Sequence, residues 1–129
     1  MILLDTCVLL WLAADPSPLP ESVKTHIRNV APGQRYLSAI SMFEIGVKHS
    51  RGKLVLPQPP RTWFERQCAA RSINVLPVTA SIAARATELP WHHRDPADRM
   101  ILATALEYDL PIVTCDEAFK AYNNVRLLW

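Results

Sequence analysis

Short apolar runs alternate with longer helical segments along this chain. The runs that read as strands cover residues 2–4, 35–37, 73–76, 111–113 and 125–128. Apolar runs of this length are typical of strands that are buried on both faces of a parallel sheet. The alternation therefore predicts an α/β fold, a three-layer α/β/α sandwich around a mostly parallel sheet.

The segments between these runs carry helix start and stop signals. Helices are predicted over residues 7–14, 20–30, 39–50, 63–71, 81–89, 95–108 and 117–122. Pro96 stands at the first position of its helix, where proline is favoured, and Gly52 comes just after the helix that ends near residue 50. Pro57, Pro59 and Pro60 are interpreted as a loop.

Length and composition favour one compact unit, so residues 1–129 are expected to form a single domain. The net charge of +2 is compatible with an anionic partner but does not require one. The three cysteines, Cys7, Cys68 and Cys115, form no C-x-x-C pair, which favours a reducing cytoplasm. No signal peptide is expected, because the N-terminus has no basic region and Asp5 directly follows its apolar run, and no apolar stretch is long enough to span a membrane.

Four acids, Asp5, Glu44, Asp98 and Asp116, lie at or near the starts of predicted helices. Asp5 and Asp116 also come after apolar strands, so both are expected at the carboxyl edge of the sheet, where ligands bind in such folds. Carboxylates gathered in one cleft repel each other unless a cation lies among them. The set therefore predicts a magnesium or manganese site that acts on phosphate.

Each acid also has a structural interpretation when it is taken alone. Asp5, Asp95 and Asp116 are placed to cap helices, and Ser41 with Glu44 has the spacing of a capping box. Helix N-termini stabilise nearby anions by only about 0.3–1 kcal/mol each. Because repulsion among four close carboxylates is larger, the capping interpretation weakens for the set as a whole.

Other site types receive less support. His92 and His93 are adjacent, so they do not easily converge on one zinc ion. Two basic clusters are predicted near the acids and are interpreted either as solvated surface or as contacts to a polyanion's backbone: Lys48, His49, Arg51, Lys53, and His92, His93, Arg94, Arg99. No Walker A loop, G-x-G-x-x-G or G-x-S-x-G pattern occurs.

Four stretches of the chain, taken together, resemble PIN-domain proteins, and most closely the toxin component of VapBC-type toxin–antitoxin pairs. They are Leu3-Leu4-Asp5-Thr6, the stretch from Ser38 through Glu44 to Leu54, His92-His93-Arg94-Asp95-Pro96-Ala97-Asp98-Arg99, and Val113-Thr114-Cys115-Asp116. Three positions depart from the family's usual residues, namely Cys7, Phe43 and Ala97. None of the departures replaces a carboxylate.

The resemblance implies a ribonuclease that depends on Mg²⁺ or Mn²⁺, with one or two ions. By motif, Asp5, Glu44, Asp98 and Asp116 are the catalytic residues and Asp5, Asp98 and Asp116 the metal ligands, while Glu44 orients or deprotonates the attacking water. Supporting hydrogen bonds are expected from Thr6, Ser38, Ser41 and Thr114. No site for an organic cofactor is expected.

The resemblance also implies partners: an RNA substrate, a cognate antitoxin that covers the acidic groove, and a second copy of the chain in a homodimer. Trp11, Phe43, Trp63 and Phe64 are candidates for apolar contact surface. A non-catalytic PIN-like module that binds RNA or protein is the alternative. A receiver-like module lacks its phosphorylatable Asp and late Lys here, and a D-x-D phosphatase would need an acid at Cys7.

Overall fold

Five parallel strands form one sheet in the computed structural model, which describes residues 1–129. They are β1 (Ile2–Leu4), β2 (Arg35–Ser38), β3 (Ile73–Leu76), β4 (Ile112–Val113) and β5 (Leu127–Leu128). Their order across the sheet is β3-β2-β1-β4-β5, and every neighbouring pair is parallel. The predicted α/β sandwich is confirmed.

Six α-helices cover the sheet: α1 (Thr6–Ala13), α2 (Glu21–Asn29), α3 (Ile40–Ser50), α4 (Pro60–Ala70), α5 (Ala80–Glu88) and α6 (Pro96–Tyr108). A 3₁₀ helix spans Glu117–Ala121. The predicted start of α6 is confirmed, with Pro96 in its first turn and the Asp95 carboxylate accepting the backbone N–H of Ala97 at 2.9 Å. None of these helices is both long and apolar enough to cross a membrane.

Helix α4 begins three residues before its predicted start at Trp63. Its first residue is Pro60, so the prediction of a loop at this position is wrong. A proline there loses no hydrogen bond, because the first N–H groups of a helix have no intrahelical partner. The longer helix places Trp63 and Phe64 in the core, where they are 5% and 4% exposed.

The central strand β1 is buried on both of its faces. Ile2 and Leu4 pack into a core formed with α1, α2 and α4, whereas Leu3 packs into a second core formed with α5 and α6. Neighbouring side chains of a strand point to opposite faces, which is why a short run of three apolar residues contributes to both cores. Burying each of them stabilises the fold by about 1.5–3 kcal/mol.

Candidate active site

Asp5 comes directly after β1, at the carboxyl edge of the sheet, and caps α1. Its Oδ1 accepts the backbone N–H of Thr6 at 2.7 Å, and its Oδ2 accepts the hydroxyl of Thr114 at 2.7 Å. The Cys7 thiol donates to the same Oδ2 at 3.7 Å. Because Asp5 is only 6% exposed, burial raises the pKa of its carboxyl in spite of these hydrogen bonds.

Thr114 connects Asp5 to Asp116. These two acids come after β1 and β4, which are neighbours with Leu4 paired to Val113. The Thr114 hydroxyl donates to Asp5, and its oxygen accepts the backbone N–H of Asp116 at 3.0 Å. One buried side chain therefore fixes the spacing of two acids, as a supporting residue of a metal site does.

Glu44 lies one turn inside α3 and is joined to Asp5 through Thr6. Its Oε1 accepts the hydroxyl of Thr6 at 2.5 Å. Since Thr6 has one hydroxyl hydrogen, the Ser41 hydroxyl, 2.8 Å away, must donate to Thr6. The capping-box interpretation of Ser41 and Glu44 is wrong, because Ala39 is the N-cap and receives no side-chain hydrogen bond. Burial raises the pKa of the Glu44 carboxyl, more than any other cause.

Asp98, in the first turn of α6, has the most strongly shifted pKa among the four acids. Burial, together with the charges of Asp5, Glu44 and Asp95, raises the pKa of its carboxyl to about 7. The raised pKa is the electrostatic signature of carboxylates that share one pocket.

His93 lies between two of the acids. Its Nε2 is 3.0 Å from Asp98 Oδ2 and 3.1 Å from Asp116 Oδ2. Its Nδ1 accepts the backbone N–H of Asp95 at 3.2 Å. A neutral imidazole has one donor and one acceptor nitrogen, so the hydrogen must be on Nε2, and His93 donates to the two carboxylates.

The loop that carries His93 is held in place by the buried side chain of Arg99, which is 3% exposed. The guanidinium donates to three backbone carbonyls, those of Leu89 at 2.7 Å, Pro90 at 3.0 Å and His93 at 3.0 Å. It also stacks on the ring of Trp91, 3.6 Å from the centroid. The interpretation of Arg99 as a member of a surface basic cluster is wrong, because its donors are used inside the protein.

The structure divides the four predicted acids into two linked pairs. Ligand atoms of Asp98, Asp116 and His93 lie within 4.8 Å of one another. Asp5 and Glu44 lie outside that group: Thr6 links them to each other, and Thr114 links Asp5 to Asp116.

Sequence reasoning missed His93 as a member of the acidic pocket. The signal is its position, two residues before the capping Asp95 of a helix whose first turn carries Asp98, whereas its histidine and arginine neighbours indicate only a zinc ligand or a basic residue. Ser38, expected to support the acids, instead accepts the backbone N–H of Ile40 at 3.2 Å.

The donor set of the pocket fits a hard divalent cation. Asp98 and Asp116 offer carboxylate oxygens and His93 a ring nitrogen, and burial together with the neighbouring carboxylates raises the pKa of Asp98. The residues present therefore fit a divalent cation.

Comparisons with known proteins agree with this geometry. A family model described as PIN domain matches residues 2–125. Ribonuclease VapC22 of Mycobacterium tuberculosis is 31% identical over 126 residues, covering 97% of this chain and 94% of that protein. The structure of FitAcB from Neisseria gonorrhoeae is similar with a TM-score of 0.69 and 25% identity, covering 100% of this chain and 97% of that one.

VapBC2 from Rickettsia felis, solved with a DNA fragment from its promoter, is similar with a TM-score of 0.74 and 17% identity, covering 99% of this chain and 98% of that chain. This second structural likeness supports the fold alone. The family model, by contrast, covers nearly every residue from the first strand to the last turn before β5. The chain belongs to the PIN-domain family.

Proposed function

We propose that this protein is a divalent-metal-dependent ribonuclease that hydrolyses phosphodiester bonds of RNA. The observation that carries the proposal is the buried acidic pocket, in which burial and neighbouring carboxylates raise the pKa of Asp98 to about 7. The likeness to a protein named as a ribonuclease, at 31% identity, supports the same activity. Residues 1–129 are proposed to act as one domain.

In this proposal Asp5, Asp98 and Asp116 hold Mg²⁺ or Mn²⁺. The bound cation supplies Lewis acidity, which neutralises charge on the phosphoryl oxygens and lowers the pKa of water. The Thr114 hydroxyl fixes the positions of Asp5 and Asp116 relative to each other, and the Nε2–H of His93 donates hydrogen bonds to Asp98 and Asp116. Such fixed geometry reduces the reorganisation that the reaction requires.

Glu44 is proposed to orient the attacking water and accept its proton. One carboxylate oxygen is fixed by the Thr6 hydroxyl at 2.5 Å, and the other makes no hydrogen bond within the protein. Burial raises the pKa of Glu44, which makes its carboxylate a better proton acceptor than an exposed one. The water would then attack the phosphorus in line with the leaving oxygen.

We also propose that the protein is the toxin of a type II toxin–antitoxin pair, with a protein antitoxin as its partner and a homodimer as its own assembly. The support is the likeness in fold to a toxin–antitoxin complex from Klebsiella pneumoniae, with a TM-score of 0.69. The three free cysteines are compatible with action in a reducing cytoplasm. Light scattering of the purified chain at micromolar concentration tests the dimer, and a monomer would contradict it.

Incubation of the purified protein with single-stranded RNA tests the activity. Cleavage is expected with Mg²⁺ or Mn²⁺, loss of cleavage with excess EDTA, and recovery when the metal is restored. Undiminished cleavage in EDTA would contradict the metal-dependent mechanism. Binding of RNA without cleavage under all metal conditions would instead favour a non-catalytic PIN-like binding module.

A further inference from the structure

A groove beside the acidic pocket contains an exposed aromatic ring and three cations. It has a volume of about 260 Å³, and its eight lining residues are Phe43, Glu44, Val47, Lys48, Arg51, Lys53, Asp95 and Ala97. We call it the Phe43 groove. Phe43, Val47 and Arg51 are four residues apart along α3 and its C-cap, so they succeed one another on one face of the helix.

The cations of the Phe43 groove have no partners inside the protein. Of the fourteen Lys and Arg residues in the chain, six form salt bridges and three donate to backbone carbonyls. Five remain with neither, and three of these five are Lys48, Arg51 and Lys53. These three unpaired cations outnumber the two carboxylates that also line the groove, those of Glu44 and Asp95, and the excess of positive charge favours an anionic ligand there.

The exposed ring of Phe43 indicates that the ligand also has an aromatic or apolar part. Its side chain is 65% exposed, while Trp63 and Phe64, also predicted as contact residues, are buried. An accessible ring flanked by cations matches a nucleotide, whose base stacks on the ring while its phosphates contact the charges. In a duplex the bases stack on each other and their faces are not available.

We propose that the Phe43 groove is a binding subsite for unpaired RNA next to the cleaved phosphate, with a base on Phe43 and phosphates on Lys48, Arg51 and Lys53. The inference rests on the proposed ribonuclease function and adds the residues that would bind the strand beside the cleaved phosphate. Glu44 is both a lining residue of the groove and a member of the acidic pocket, so a strand bound there leads into the acids.

Fluorescence anisotropy with a labelled single-stranded RNA in EDTA measures this binding without cleavage, on an Asp98→Asn background. Adding Phe43→Ala is expected to weaken binding by about 5- to 150-fold, the effect of losing one stacked base. Phe43→Leu should weaken it similarly, since it keeps apolar area but loses the ring, and Phe43→Trp should restore it. Tyr108→Ala removes another exposed aromatic, 43% exposed at the far end of α6, and should have no effect.

The three cations are tested through the salt dependence of binding. Replacing Lys48, Arg51 and Lys53 by Gln is expected to reduce the slope of log affinity against log salt by about 2, roughly 0.7 for each phosphate contact to a single strand. Arg66→Gln is the matched control, because Arg66 is exposed and also has no partner but does not line the groove. It should leave the slope unchanged.

Three results would overturn the subsite: equal binding by the Phe43→Ala variant, equal binding of a duplex of the same sequence, or a Phe43→Ala effect that is confined to binding of a purified antitoxin. The last result would make the groove a protein-docking surface. The ribonuclease proposal fails separately, if the wild-type protein with Mg²⁺ leaves RNA intact. Normal cleavage by the wild-type protein together with normal RNA binding by Phe43→Ala would contradict the subsite and leave the ribonuclease proposal intact.

Discussion

The acidic pocket and the Phe43 groove adjoin each other but are built in opposite ways. In the pocket, side chains hold one another: Thr6 holds Glu44, Thr114 holds Asp5, and His93 holds Asp98 and Asp116. No buried side-chain nitrogen or oxygen in the protein lacks a hydrogen-bond partner. In the groove, Lys48, Arg51 and Lys53 make no such contacts.

This contrast separates chemistry from binding. Fixed carboxylates hold their geometry before substrate arrives, which lowers the barrier of a reaction that develops charge at defined positions. Free cations and an exposed ring adapt to a flexible strand and contribute affinity. Substitutions in the pocket should therefore act on the rate of cleavage, and substitutions in the groove on the affinity for RNA.

The largest effect is expected for Asp98→Asn. Loss of this charge should reduce the rate of RNA cleavage by about 100- to 1000-fold, the size of effect seen when one electrostatic group is removed from an active site. Circular dichroism should show an unchanged fold. Glu65→Gln is the control, because Glu65 forms only an exposed salt bridge with Arg61. If Asp98→Asn were as active as this control, the acidic pocket would not be the site of catalysis.

Arg99→Met tests whether the hydrogen bonds from the buried Arg99 side chain stabilise the loop that carries His93. Removing the guanidinium leaves the carbonyls of residues 89 and 93 without this donor, while that of Pro90 still accepts the Tyr122 hydroxyl at 2.7 Å, so urea denaturation should show a loss of about 2–4 kcal/mol in the free energy of unfolding. Arg126→Met removes an exposed arginine that pairs with Asp109 and should change stability by less than about 1 kcal/mol. Equal losses in both variants would mean that the burial of Arg99 has no special role.

Thr114→Val removes the hydroxyl that joins Asp5 to Asp116 with little change in volume. We expect the affinity for Mn²⁺, measured by calorimetry, to fall by about 10- to 100-fold, as is typical for residues that orient metal ligands. Thr87→Val is the comparison, because the exposed Thr87 hydroxyl bonds only to the carbonyl of Ala84 in its own helix. Unchanged Mn²⁺ affinity in Thr114→Val would show that the hydroxyl does not set the spacing.

The smallest effect concerns the pH dependence of stability in EDTA. The folded-state pKa of Asp98 is raised to about 7 from an ordinary value of 3.8, so the folded protein binds this proton more tightly than the unfolded chain. The stabilisation of the folded state by this proton is complete at pH values below the pKa of Asp98 in the unfolded chain, and it is lost as the pH rises through about 7. The melting temperature should therefore be higher at pH 5.5 than at pH 8, by about 5 °C at most, because solvent screens a partly exposed group.

Asp98→Asn removes this titration, so its melting temperature should change less between the same two pH values. A wild-type protein that becomes more stable as the pH rises from 5.5 to 8 would contradict the raised pKa of Asp98.

Much of this arrangement could be predicted because it depends on local signals. The apolar run of β1 before Asp5 marks the end of a strand, and Pro96 after the capping Asp95 marks the start of a helix. Since parallel strands bring their carboxyl ends together, the positions of Asp5 and Asp116 could be inferred from the order of elements.

The roles of His93 and Arg99 could not be predicted in the same way. Each depends on contacts that the fold creates, between the loop before α6, the first turns of α6 and the segment after β4. A sequence shows two charged or polar residues in a polar stretch, and only the packing decides that Arg99 is buried while Lys48 is free. The same limit applies to the aromatic residues, of which Phe43 is exposed and Trp63 buried.

Titration of the protein with Mn²⁺, monitored by electron paramagnetic resonance of the free ion, tests most directly whether the acids form a divalent-cation site. We expect saturable binding by the wild-type protein and by Glu65→Gln, and loss of that binding in Asp98→Asn. Equal Mn²⁺ binding by Asp98→Asn and wild type, or no binding by either, would contradict a divalent-cation site built from these carboxylates.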